Sequence, residues 1–377
     1  MFRPDKGHSV KIPIQIGENT IRGMAFGLIL SVLILAGAEH GAAWVEQNHM
    51  PDPMTPGLFE SPHPHLLWEL PPGETEVNEQ HVLVNSIGAR GKEVGTRKAP
   101  NSRRIVFLGD NVTFGQGVEL ADTFAFDAVK SLGGPRVGLE AVMLAVPDYT
   151  AMQHLNLMNM RGWKLAPDLL VIGGPSAEMA IQPYVDAEVI TPTRAYSGPR
   201  SILESSALFR VMDHWANLYK NEKAQIRTRV FIGGQNANIN GRPRMTTNEY
   251  ARTLDRLVED ALERSIVVVF VMLPVAEDLD DSHLSDTHFL YRQAMTAVAT
   301  RHGIPVIDGP EAFKNSQRST GRLFLNHTLL SEAGHRTLGY ALARRIKPWM
   351  RGRKILLQGT GGPLPTLPET ELQPTQP

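Results

Sequence analysis

Four runs of uninterrupted apolar, β-rich sequence constrain this chain more than any other feature: 105–109 (IVFLG), 169–174 (LLVIGG), 266–274 (IVVVFVMLP) and 304–308 (IPVID). A strand that is apolar at every residue must be covered on both faces, which is the situation of a parallel sheet between helical layers. The sequence between the runs supplies such layers. Segments 122–132, 202–221, 247–264 and 287–303 have helical composition and spacing, and Thr246 or Thr247 stands ready to cap the third. The expectation is a three-layer α/β domain with a central parallel sheet over residues 101–352.

A second apolar segment is of a different kind. Between Arg22 and Glu39 runs GMAFGLILSVLILAGA, uncharged and without strand alternation. As a helix its 16 residues reach about 24 Å, and extension to Val45 past Trp44 completes a membrane span of about 30 Å. Arg3, Lys6, Lys11 and Arg22 precede it against only Asp5 and Glu18. From Glu39 to Ala89 there are eight acids and no Lys or Arg until Arg90. That is the positive-inside pattern, with the bulk of the chain outside the cytoplasm. Three readings of the segment compete: an uncleaved signal anchor over 23–45, a signal peptide cut after Ala38, and a buried core helix. The first is preferred because a leader of residues 1–22 containing acids is long for a cleaved signal. It implies a single-pass protein of the cytoplasmic membrane with an extracytoplasmic C-terminal domain.

Residues 46–100 begin with a proline- and acid-rich stretch and are expected as an extended connector. Residues 353–377, rich in Pro, Gly and Thr without periodicity, are expected as a disordered tail. Over the whole chain 38 basic residues balance 39 acidic ones, a net charge of −1, which excludes a nucleic-acid binder that relies on bulk electrostatics. No cysteine is present, so disulfides, thiolate metal sites, a cysteine nucleophile and lipoprotein anchoring are all excluded.

In an open parallel sheet, ligands sit at the carboxyl ends of the strands, which directs attention to FLGDNVTFGQGVELADTF after the first run. This stretch resembles the first signature block, GDSxTxGxG, of the SGNH/GDSL family of esterases and acyltransferases. HLLWELPPG (65–73) and VNSIGARG (84–91) resemble the lead-in of membrane-anchored members. AVPDYT (145–150), PDLLVIGGPSAE (167–178) and LFLNHTLLSEAGHRTLGYAL follow in family order. The resemblance implies a flavodoxin-like three-layer domain with the site at the carboxyl edge of the sheet.

Carried over one position at a time, the resemblance finds the chemistry missing. The nucleophilic serine falls on Asn111, whose amide lone pair is delocalised. The oxyanion-hole glycine falls on Asp148, whose carboxylate would oppose the charge to be stabilised. The asparagine donor falls on Ala177, beside Ser176. The closing Asp-x-x-His block reads Asn326-His327-Thr328-Leu329, in which Leu329 cannot take a proton. Loss of a nucleophile alone costs about 10⁶ in turnover in serine proteases. No catalytic residue is therefore expected, and Asp110, Asn111, Asp148, Ser176, Asn326 and His327 become candidates for binding a ligand.

Ser176 as a substitute nucleophile and His327 as a displaced base are weaker alternatives, and His327 and His335 are read as surface or capping residues. Gly115-Gln116-Gly117 is too short for a phosphate loop. His40, His49, His63, His65 and His81 lack spaced carboxylates, so neither a metal nor a cofactor is expected. The polar loop 233–244 is a possible glycan contact. Anchored relatives are associated with acylation of exported polysaccharides, so the resemblance implies a membrane or envelope assembly as partner. The expected role is binding or scaffolding; the rival is an esterase or O-acyltransferase with non-standard residues.

Overall fold

The computed structural model describes residues 18–48, 59–61, 65–182, 184–190, 193, 203, 206–209, 211–212, 241–280 and 285–352. The leader before residue 18, loop residues 233–240, most of the expected helix 202–221, and the tail 353–377 lie outside the described residues.

The central sheet has five strands: β1 (Arg103–Leu108), β2 (Leu139–Met143), β3 (Leu169–Gly174), β4 (Val267–Met272) and β5 (Val306–Asp308). All pair in parallel, in the spatial order β2-β1-β3-β4-β5. Every residue of β3 is buried, as its continuous apolar sequence requires. The 2-1-3-4-5 order reverses direction between β1 and β3, so a crevice opens beyond their carboxyl ends.

One long N-terminal helix, α1 (Glu18–Asn48), precedes the sheet, and among the described residues five further helices of eight residues or more surround it. These are α2 (Phe124–Ser131), α3 (Ala151–Met160), α4 (Thr247–Glu263), α5 (Asp286–His302) and α6 (Glu332–Met350). Helices α2 and α6 pack together, while α4 packs against both α3 and α5, giving the two outer layers. Side-chain oxygens start these helices where the sequence offers them. Thr123, Thr246, Ser285 and Ser331 accept from backbone N–H groups of the first turns of α2, α4, α5 and α6. Thr246 and Glu249 form a reciprocal capping box.

Two parts differ from the sequence-based expectation. Strand β2 and helix α3 carry no clear periodic signal, yet they form. The segment 46–100, expected as a connector, is in its described part built into the domain. Leu66, Leu67, Trp68 and Leu70 are buried in the core, and Gly73–Val77 pairs with Gln80–Val84 in an antiparallel hairpin that adds Val77, Val82 and Val84. The packed domain thus starts by residue 65, not 101. Proline and acid content concealed this because the buried residues form a short run between prolines.

Helix α1 is 31 residues long, and its stretch Ala25–Val45 is long and apolar enough to cross a membrane, with Phe26, Leu28, Ile29 and Val32 exposed. That exposure removes the core-helix reading, since a core helix would bury these side chains. Near its end, Glu39 accepts hydrogen bonds from the Ser206 hydroxyl at 2.6 Å and the Leu208 N–H at 3.1 Å.

Candidate functional site

Strand β1 ends at Leu108 and the chain turns at once through Gly109 and Asp110 into the single helical turn Asn111–Phe114. The turn is tight: a Cβ on Gly109 would fall 2.1 Å from Thr113 Oγ1. Strand β2 delivers Asp148 and β3 delivers Ser176 and Ala177 to the same edge.

Asn111 and Asp148 close on each other. Asn111 Nδ2 donates to Asp148 Oδ1 at 2.7 Å, and the Asp148 backbone N–H donates to Asn111 Oδ1 at 3.1 Å. Asp148 has φ of +59°, a left-handed conformation that glycine adopts freely and Asp tolerates. The Asp148 backbone N–H is therefore occupied by the Asn111 amide oxygen.

Asp110 lies beneath this pair. Its Oδ2 accepts the Ala177 N–H at 3.2 Å, while its Oδ1 and Thr113 Oγ1 are buried without a hydrogen-bond partner among the described residues. Burial pushes the Asp110 carboxyl up to about 7; the Ser176 hydroxyl opposes the shift, and the charges of Glu178 and Asp148 reinforce it. Glu178, also raised by burial, accepts from the N–H groups of Ser176 at 3.0 Å and Ala151 at 2.9 Å. The edge thus gathers three carboxyl groups, and burial raises the pKa of two of them, Asp110 and Glu178.

A buried arginine fixes the Asp148 loop. Arg244 pairs with Asp186 at 3.0 Å, donates to Gln153 Oε1 at 2.6 Å and to the Asp148 carbonyl oxygen, and lies 5.1 Å from the ring of Trp68. Trp68 Nε1 donates to the Pro147 carbonyl at 3.0 Å, and the Tyr149 hydroxyl returns to the Trp68 carbonyl at 2.5 Å. His154 packs its Nε2 against the Gly109 peptide, 3.0 Å from the carbonyl oxygen; burial lowers its pKa to about 4, so the ring is neutral. Arg244, Asp186, Trp68 and His154 went unnoticed in the sequence. Trp68 within the lead-in segment was the one signal that could have found them.

The last block sits elsewhere on the same rim. Asn326 Oδ1 turns back to accept the N–H groups of Thr328 at 2.9 Å and Leu329 at 2.7 Å. His327 is exposed, with Nδ1 3.3 Å from Glu277 Oε1, and its carbonyl accepts from Ala276 just beyond β4. Leu329 packs against the core. His335 is fully buried, accepts the Phe124 N–H at the start of α2 at 3.1 Å, and stacks on the Phe124 ring; burial lowers its pKa to about 3. The geometry therefore joins Asp110, Asn111, Asp148, Ser176 and Ala177 in one cluster, and puts Asn326 and His327 in a loop with its own bonds. Among the described residues no group of three or more His, Asp or Glu is placed to hold a metal ion.

No family model matches the chain, and no curated protein matches it. Solved structures are similar at low identity. An α/β hydrolase from the metagenome of Lake Arreo, Spain, is 16% identical with a TM-score of 0.43, over 68% of this chain and 97% of that one. An acetylxylan esterase from Geobacillus stearothermophilus is 14% identical with a TM-score of 0.43, over 69% and 99%. A lipase/acylhydrolase from Enterococcus faecalis is 14% identical with a TM-score of 0.42, over 66% and 96%. The chain is thus similar, over about two thirds of its length, to nearly the whole of each of these three proteins.

Proposed function

We propose that this chain is a membrane-anchored, catalytically degenerate member of the SGNH/GDSL family that works by binding or scaffolding within an envelope assembly. The observation that carries the reading is the reciprocal pair of Asn111 and Asp148. An amide cannot attack an ester, and here it also occupies the backbone donor that an oxyanion would need. Leu329 supplies no base, and the neutral His154 and His335 are both buried against peptide N–H or carbonyl groups. The anchor is the segment 23–45, with the domain on the extracytoplasmic side because the basic residues precede the span and the acidic ones follow it. The resemblance to anchored members links such an assembly to acylation of exported polysaccharide, with a glycan or a partner segment held over Asp110, Asn111, Asp148 and Ser176.

One observation favours an enzyme instead: Ser176 directly precedes Ala177, whose N–H reaches Asp110, and burial raises the pKa of that carboxyl to about 7. Hydrolysis of aryl acetates by the full chain in detergent separates the readings. Turnover no greater than that of the Asn111→Ala and Ser176→Ala variants supports the binding role. Turnover lost with either residue overturns it.

A further inference from the structure

A second concavity lies along the free edge of the sheet, of about 1050 Å³. It is walled by β5, the short helix Gly309–Asn315 and α6. Strand β5 pairs with β4 on one side and with no strand on the other among the described residues. Such an edge presents alternate N–H and C=O groups ready to pair with an added strand.

The charges in the groove are unevenly satisfied. Arg318, Arg344 and Arg345 line it, and among the described residues none forms an ion pair with the groove's acids, Asp308 and Glu311. Asp308 is used otherwise, accepting the Glu311 N–H at 2.8 Å to cap its helix. Arg345 Nε and Nη2 are shielded from solvent without a hydrogen-bond partner, and that burial lowers the pKa of its guanidinium. Val306, Ala312, Ala341 and Pro348 give apolar wall between the charges, and Tyr340 stands exposed at the rim.

We propose that this groove receives an extended acidic peptide of a partner protein, added as a strand along β5 with its carboxylates on Arg344 and Arg345. Three observations combine: a free strand edge, guanidinium groups of Arg344 and Arg345 without an ion pair beside it, and apolar wall between the charges. The strand edge favours a peptide over a sugar chain, because only a peptide offers a matching row of N–H and C=O groups. The groove is separate from the Asn111–Asp148 cluster, so this inference stands or falls independently of the reading given to that cluster.

The test uses the full chain in detergent and a fluorescent peptide of four Glu-Val repeats, followed by anisotropy at physiological salt. Saturable binding is expected, weakened about tenfold or more by Arg344→Glu with Arg345→Glu, by Gln in place of Glu, and by N-methylation of alternate peptide amides. Tyr340→Glu, at an exposed position, serves as a second groove variant should the double change unfold the chain, and it too should weaken binding. Insensitivity to N-methylation overturns strand addition. An equal loss on Arg351→Glu, outside the groove, overturns the site, and so does equal competition by a uronic-acid oligosaccharide. A tenfold gain on removing residues 353–377 also overturns the proposal, since the chain's own tail would then be the occupant.

Discussion

Asp148 carries a left-handed backbone that costs a non-glycine residue about 1 kcal/mol or more, and its hydrogen bonds to Asn111 offset that cost. Asn111→Ala should lower stability by about 1 kcal/mol in a urea melt and leave the fold intact. Asp110 makes a sharper prediction. Its carboxyl keeps its proton up to about pH 7 in the folded chain, against 3.8 when unfolded, so folding takes up a proton between these values. Stability should therefore fall as pH rises through that window, and Asp110→Asn should flatten the slope and gain on the order of a few kcal/mol above neutrality. His335 has the opposite sign. Its folded value of about 3 lies below the ordinary 6.5, so the unfolded chain binds a proton the folded one refuses. Stability is lost as pH falls from 6.5 toward 3, and His335→Gln, which keeps an acceptor for the Phe124 N–H, should remove that loss in melts run at several pH values. Asn111 and Ala177 were legible as one site because each lies just beyond an apolar run that the sequence marks as a strand, and Asp148 was legible only through the block AVPDYT that carries the resemblance. The protonation of Asp110 was not, because it depends on burial and on Glu178, which lies 68 positions away in sequence.

Helix α3 shows why some elements escape a reading of the sequence. Gln153, His154, Asn156 and Asn159 are polar, yet all are buried, and they bond to backbone groups of Leu66, Gly109, His65 and Thr193. Those partners lie in loops far along the chain, so no periodicity betrays the buried face. Strand β2 is masked in the same way by Glu140, which an edge position allows to pair with Arg104 at 2.9 Å. Between elements, the Arg244–Asp186 pair holds the Asp148 loop. Arg244→Met leaves a buried carboxylate without its partner and should destabilise by about 3–5 kcal/mol, while adding Asp186→Leu should restore much of that. In α6, a Cβ on Gly339 would lie 2.9 Å from the Phe124 carbonyl oxygen, so α2 and α6 meet there at backbone distance. Gly339→Leu should cost about 1–3 kcal/mol, read as a lowered urea midpoint with an unchanged slope.

At the scale of the whole molecule, α1 leaves a row of large apolar side chains exposed while the domain buries its own. A lipid bilayer would cover them, so the full chain should sediment with membranes and come away only with detergent, and the chain lacking residues 1–45 should stay in solution. Orientation can be read because the natural chain has no cysteine. With intact cells permeable only through the outer layers, Glu74→Cys should react with a membrane-impermeant maleimide and Lys6→Cys should not; the reverse pattern would invert the topology. The sequence by itself determined the parallel sheet between helices, the apolar N-terminal helix, and the lack of any cysteine. Each of these is a matter of residue type and local period, which a linear chain displays. Only the tertiary structure decided that the lead-in 65–84 is part of the core, that Asn111 and Asp148 satisfy each other, and that Arg345 lies unpaired beside an open strand. Those outcomes depend on burial and on partners far apart in sequence, and free energies of that kind exist only once the chain has closed on itself.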